Sequence, residues 1–108
     1  MAPTVSVLMS VYNGEQTLHK SIESILQQSF YDFEFIIVDD ASCDNTQQIL
    51  KYFSLKDHRI KILKNDINRG LSYSLNLAFK SSKGRLIARM DADDLSFKQR
   101  FEKQVKYF

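Results

Sequence analysis

The chain has 108 residues, enough for one compact domain and too short for two. Hydrophobic residues make up 44%, with eight Phe and five Tyr, which excludes a disordered or fibrous chain. Lys and Arg number 15 against 13 Asp and Glu, and a net charge of +2 provides no strong field for nucleic acid.

Val5-Ser6-Val7-Leu8-Met9-Ser10-Val11 is short, β-branched and apolar on both faces, as a buried parallel strand requires. Turn residues Tyr12-Asn13-Gly14 end it. From Thr17 to about Gln28 the spacing predicts a helix with Leu18, Ile22, Ile25 and Leu26 on one stripe. Phe33 to Val38 reads as a second strand. In the polar loop from Asp40 to Thr46, Asp44 or Asn45 is placed to cap a helix carrying Ile49, Leu50 and Phe53. Ile60-Lys61-Ile62-Leu63 is a short third strand, and Asn65 to Gly70 is a loop. Leu71, Leu75, Ala78 and Phe79 then share one face of a third helix. After the turn Ser81-Ser82-Lys83-Gly84, Arg85 to Met90 predicts a fourth strand. Phe97, Phe101, Val105 and Phe108 outline a last amphipathic helix.

Strands alternating with helices call for an α/β, Rossmann-like fold, a mostly parallel sheet with helices on both faces, residues 1–108 forming one domain. Ligands of such sheets sit beyond the carboxyl ends of the strands, where the strand order reverses. Tyr12-Asn13, Asp39-Asp40 and Asp91 to Asp94 all follow strand ends and are expected to share one rim. The lone Cys43 cannot form an internal disulfide, which fits a reducing cytoplasm. No apolar stretch approaches the roughly 20 residues that cross a bilayer. Met1-Ala2-Pro3-Thr4 opens without the basic region of a signal peptide.

The densest chemistry lies in Leu86-Ile87-Ala88-Arg89-Met90-Asp91-Ala92-Asp93-Asp94. Three carboxylates in four positions repel one another and are stable mainly beside a cation. Mg²⁺ or Mn²⁺ takes oxygen ligands and keeps positions open for substrate phosphates. Asp91 and Asp93 can hold such an ion, or one can take the ion and the other a ribose hydroxyl. Acids that merely cap the next helix are the plainer alternative. Asp39 and Asp40 can accept hydrogen bonds from ribose or from a base presenting N–H, such as uracil or guanine. Tyr12 can stack on a base or serve as a half-buried core aromatic. Arg69-Gly70 stands at a helix N-terminus, where anions bind, although by itself Arg69 is better explained as a solvated loop charge. His19 and His58 lack metal-ligand spacing, and Cys43 has no His nearby. Neither G-x-G-x-x-G nor G-x-x-x-x-G-K-[ST] occurs, which argues against NAD and P-loop nucleotide sites.

An ordered set of segments carries a resemblance. They are Val5 to Asn13, Ser24-Ile25-Leu26-Gln27-Gln28-Ser29-Phe30, Ile37-Val38-Asp39-Asp40-Ala41-Ser42, Asn68-Arg69-Gly70-Leu71, Ala88 to Asp94 and Arg100-Phe101-Glu102-Lys103-Gln104. The chain resembles the N-terminal, nucleotide-sugar-binding half of family 2 glycosyltransferases, which have the GT-A fold. The resemblance implies that Ser10 and Tyr12 cradle the nucleotide, with Tyr12 on the base. It matches Asp40 to the acid that takes the base N–H, with Asp39 supporting it. Arg69 is then the loop residue that closes over the nucleotide. Asp91 falls near the ribose, and Asp93 is the metal ligand for Mn²⁺ or Mg²⁺. The activity implied is inverting, metal-dependent transfer of a sugar from a nucleoside-diphosphate donor to a hydroxyl. By family frequency the donor is a UDP-sugar, and the acceptor a saccharide or lipid-linked molecule of cell-surface polysaccharide biosynthesis.

Two departures qualify the match. Met9-Ser10-Val11 stands where many members carry Pro, which alters the turn without removing the site. The family's acceptor half and catalytic base fall beyond Phe108, so the chain is expected to be a donor half truncated before the acceptor half and inactive alone. A non-catalytic nucleotide-binding or assembly module is the alternative, because an exposed sheet edge invites pairing into a homo-oligomer. A sugar-phosphate nucleotidyltransferase ranks lower, since Tyr12-Asn13-Gly14-Glu15 is not a Gly-rich basic loop. The expected location is cytoplasmic, with the full-length protein peripheral to the inner membrane.

Overall fold

Four parallel strands take up the apolar runs: β1 (Val5–Val11), β2 (Phe33–Asp39), β3 (Ile60–Lys64) and β4 (Leu86–Arg89). Helices α1 (Leu18–Leu26), α2 (Thr46–Lys56), α3 (Leu71–Ser81) and α4 (Arg100–Lys106) alternate with them, and the sheet order is β3-β2-β1-β4. The computed structural model describes residues 2–96 and 98–106. The α/β, Rossmann-like architecture is the one its sequence pattern predicts.

β1 and β2 are the central strands, buried on both faces, which is why they read as near-continuous apolar runs. Strand alternation still assigns each side chain to a face. Val5, Val7, Met9 and Val11 pack with Phe33, Phe35 and Ile37 against Leu18, Ile22 and Ile25 of α1, Leu50 and Phe53 of α2, and Phe101 of α4. Leu8, Ile36 and Val38 meet Ala78 of α3 on the other face. Among the described residues, no helix is long and apolar enough to cross a membrane.

One local expectation changes, at α3. Leu71 and Phe79 do not face the sheet and are 49% and 57% exposed. α3 turns Ser74 and Ala78 inward instead, small side chains that permit close approach, with Leu75 and Leu77 beside them. Asn65 Nδ2 donates to Ser74 Oγ at 3.0 Å and holds that face against the sheet. At α2, Asn45 occupies the cap position, but the bond is made by Asp44 Oδ1, which accepts the Thr46 N–H at 2.9 Å. In α4, Phe101 is fully buried, edge-on to Phe33 with ring centres 5.6 Å apart, whereas Phe97 and Phe108 lie outside the described residues.

One polar pair interrupts the central strands. Ser6 and Glu34 are register partners, and the Ser6 hydroxyl donates to Glu34 Oε2. Lys61 Nζ donates to Oε1 at 2.9 Å, and the Lys83 N–H to Oε2 at 2.6 Å. The Gly84 N–H then donates to Ser6 Oγ at 2.8 Å, tying the turn before β4 to the sheet. Burial by itself raises the pKa of Glu34, but the donors Lys61, Ser6 and Lys83 outweigh it and hold the carboxyl below 4.5. A Cβ on Gly84 would lie 2.6 Å from both the Ser6 nitrogen and Oγ, so this approach requires glycine.

Gly84→Ala should destabilise the fold by about 2 kcal/mol, through backbone displacement, when read from urea unfolding; an unchanged midpoint would contradict the close approach. Glu34 sets a pH dependence. Its contribution is complete above pH 4.5, where folded and unfolded chains are both ionised. As pH falls from 4.5 through the lower folded value, the unfolded chain binds the extra proton and this stability is lost. Urea midpoints followed down this range should fall less steeply in Glu34→Gln than in the parent.

Candidate functional site at the carboxyl rim of the sheet

Because the strands are parallel, the ends of β1, β2 and β4 face one way. Val11 pairs with Asp39, and Leu8 with Arg89, so the segments that follow these strands meet along one rim. The strand order reverses between β1 and β4, where an open parallel sheet leaves a crevice. Tyr12, 51% exposed, follows β1, and the exposed Asp91 and Asp93 follow β4, the two strands on either side of that reversal. Ser10 is half-buried and has the parity of Leu8, which places it on the α3 side of the sheet.

Asp40 organises the rim on that same side. Its Oδ1 accepts from Asn65 Nδ2 at 2.8 Å and from the Arg69 N–H at 2.7 Å, and its Oδ2 accepts the Gly70 N–H at 2.9 Å. Burial alone raises the pKa of Asp40, yet the donors Arg69, Asn65 and Gly70, with the Arg69 charge, hold it below 3.8. The carboxylate thus caps the approach to α3, where Gly70 takes a φ of 91° that few other residues adopt. A carboxylate offers about four acceptor positions, so three bonds leave one on Oδ2. Arg69 itself is exposed, and its guanidinium lies 5.4 Å from the centre of the Tyr73 ring.

Asp39 does not join this group. It has the parity of Phe35 and Ile37, and it borders a cavity of about 280 Å³ between α2 and β3, beside Leu50, Lys51 and Lys64. Its Oδ1 accepts the Ser42 N–H at 3.0 Å, and its Oδ2 is buried with no protein partner among the described residues. Asp39 thus anchors the β2–α2 loop from the face opposite Asp40, because adjacent strand residues point to opposite faces. That loop is also stitched to the one after β1. The Asn13 N–H donates to Ser42 Oγ at 2.9 Å, and the Cys43 N–H to Asn13 Oδ1 at 2.8 Å. Gly14 donates its N–H to Thr46 Oγ1 at 2.9 Å. Asn13 and Ala41 sit at φ values of 50° and 64°, a region sparsely used by residues other than glycine.

Asp91, Asp93 and Asp94 are exposed, and each can bring one carboxylate oxygen within 4.8 Å of the others. Arg89 Nη2 lies 3.6 Å from Asp91 Oδ1, an exposed pair that adds little stability. Between the acids, the Ala92 carbonyl accepts from Thr17 Oγ1 at 3.1 Å and from Ser21 Oγ at 2.7 Å. The residues absent from the sequence-based expectation are therefore Asn65, Ser74, Ser42, Thr17 and Ser21. Ser21 alone left a signal, as a fully buried serine within the stripe of Leu18, Ile22 and Ile25.

Comparison with known proteins follows the same outline. The family model described as Glycosyl transferase family 2 matches residues 6–108. EpsE of Bacillus subtilis (strain 168), a glycosyltransferase by name, is 49% identical over 97% of this chain and 38% of its own length. WfgD of Escherichia coli, named a UDP-Glc:alpha-D-GlcNAc-diphosphoundecaprenol beta-1,3-glucosyltransferase, is 39% identical over 94% of this chain and 39% of its own. The crystal structure of S. aureus TarS 1-349 in complex with UDP-GlcNAc superposes with a TM-score of 0.91 at 28% identity, over 96% of this chain and 30% of that one. The chain spans about two fifths of the length of these curated relatives.

Asp40→Asn should cost about 2 kcal/mol, because an amide NH₂ then meets buried N–H donors. Hydrogen exchange at the Arg69 and Gly70 amides should accelerate by tenfold or more, on the order of the lost bond energy. Parent-like protection at both amides would mean that the 65–70 loop is held by something else.

Proposed function

Because this chain belongs to glycosyltransferase family 2, we propose that it forms the donor side of an enzyme moving sugar from a UDP-sugar to a hydroxyl acceptor. The reaction in this reading is metal-dependent and inverts the sugar carbon. The observation that carries it is the rim. Tyr12 and the single open acceptor position of Asp40 lie on the β1–β2 side of the crevice, and the acidic cluster lies across it. That order along the rim suits a ligand with a ring at one end and a diphosphate at the other.

Each residue has a part in this reading. Tyr12 stacks on the base, Ser10 lines the cradle, and Asp40 Oδ2 takes the imide N–H that uracil presents. The Arg69 guanidinium closes over the nucleotide, and Asp91 reaches the ribose. Relatives favour uracil over guanine, since TarS is a complex with UDP-GlcNAc and WfgD is named for UDP-Glc. WfgD's named acceptor also makes a lipid-linked saccharide the acceptor class we favour. Location in the cytoplasm, peripheral to a membrane, is consistent with an exposed free Cys43.

The donor set fits a hard cation. Asp91, Asp93 and Asp94 offer carboxylate oxygens only, the ligand type that selects Mg²⁺ or Mn²⁺ over softer metals. Asp93 is the residue we assign as ligand. When bound, such an ion neutralises the charge that develops on a diphosphate leaving group. The general base that deprotonates the acceptor hydroxyl belongs, in this reading, to the part of the relatives that the chain does not span.

Calorimetric titration of UDP, in Mn²⁺ and in EDTA, tests the reading. Binding should strengthen with Mn²⁺, and Asp93→Ala should abolish that gain while keeping the fold. Tyr12→Ala should weaken binding about tenfold, at the low end of base–aromatic stacking. Equal affinity in Mn²⁺ and EDTA would remove the metal from the mechanism, and no UDP binding by a folded chain would remove the donor assignment.

A further inference from the structure

Resting on the metal-assisted reading above, we propose that the hydroxyl row of α1, Thr17 and Ser21 foremost, is a positioning device that presets Asp91 and Asp93 for the cation. Three carboxylates within 4.8 Å of one another push the loop apart when no cation is bound. A loop that keeps them together needs an anchor of its own, and the anchor is the residue between the two acids.

Ala92 packs against the apolar core while Asp91 and Asp93 on either side of it are exposed. Its carbonyl has two acceptor positions, and Thr17 Oγ1 and Ser21 Oγ fill both. Thr17, Ser21 and Ser24 are spaced four and three apart, so they lie on one face of the helix and its first turn. Ser24 Oγ accepts the Ser96 N–H at 3.0 Å and closes the far end of the loop. At the near end the Met90 N–H donates to the Leu8 carbonyl at 3.0 Å, and the Asp94 N–H folds back onto the Asp91 carbonyl at 3.1 Å. Segment 91–96 is thus held at Met90, Ala92 and Ser96, and two of those three anchors come from α1.

The sequence carries a cost that this role explains. Ser21 is fully buried in a stripe that otherwise holds Leu18, Ile22 and Ile25, where an apolar side chain would bury more hydrophobic surface. Neither hydroxyl is a ligand. Both act through the Ala92 carbonyl, fixing the direction in which the flanking carboxylates leave the backbone.

Mn²⁺ titration by electron paramagnetic resonance, on the parent chain, Thr17→Val, Thr17→Ser, Ser21→Ala and Asp93→Ala, tests the proposal. Thr17→Val and Ser21→Ala should each weaken Mn²⁺ binding about tenfold, the range found when groups orienting metal ligands are removed. UDP binding in EDTA should stay at the parent value in both, and Thr17→Ser, which keeps the donor, should bind Mn²⁺ like the parent. Without metal, amide exchange at Asp94, whose N–H is bonded to the Asp91 carbonyl, should speed up in the same two variants. Thr17 is exposed, so its variants keep the question open to test even if Ser21→Ala fails to fold. Parent-like Mn²⁺ affinity in Thr17→Val and Ser21→Ala, with Asp93→Ala defective, overturns the positioning role and leaves the metal site standing. An equal loss of Mn²⁺ and metal-free UDP binding overturns it as general loosening. A parent chain that binds no Mn²⁺ overturns the metal reading itself and the positioning role with it.

Discussion

Two strands covered on both faces leave almost no room for polar side chains except at their ends. A buried polar group is costly unless hydrogen-bonded, so β1 and β2 spend their length on Val, Ile, Leu, Met and Phe. The Ser6–Glu34 pair is the interior exception, and donors from β3 and the turn before β4 satisfy it. The other polar residues of these two strands, Ser10 and Asp39, stand at their carboxyl ends. Parallel pairing then gathers such groups along one line, since every strand delivers its end on the same side. The site is a consequence of how the core is sealed.

Asp40 shows how one buried charge can organise the start of a helix and the loop before it. The N-terminus of α3 attracts an anion, and the chain supplies its own in the form of this carboxylate. Three donors keep it ionised well into acid, so at neutral pH it is an acceptor only. The same bonds fix the 65–70 loop that carries Arg69.

The two sides of the crevice are built differently. On the β1–β2 side, reciprocal bonds between the loops at 13–15 and 42–46 give a stiff platform, with Asn13 and Ala41 held in uncommon backbone conformations. On the β4 side the acidic segment is exposed and leans on α1 for its anchors.

From the sequence alone came the order of elements, the family, and the placement of Tyr12, Asp40, Arg69, Asp91 and Asp93 beyond strand ends. Those are local matters: β-branched runs mark strands, a period near four marks helices, and acids after apolar runs mark rims. Tertiary structure decided which of Asp39 and Asp40 turns to the α3 side, because a one-residue step along a strand reverses the face. It decided that α3 turns Ser74 rather than Leu71 and Phe79 inward, through a bond from Asn65 nine residues earlier. It also paired Ser21 with Ala92, 71 positions apart, and put Asp39 over a cavity that no local pattern announces. Periodicity reports which residues are buried, whereas the partner of a buried polar atom depends on how the elements stack, and only the folded chain supplies that.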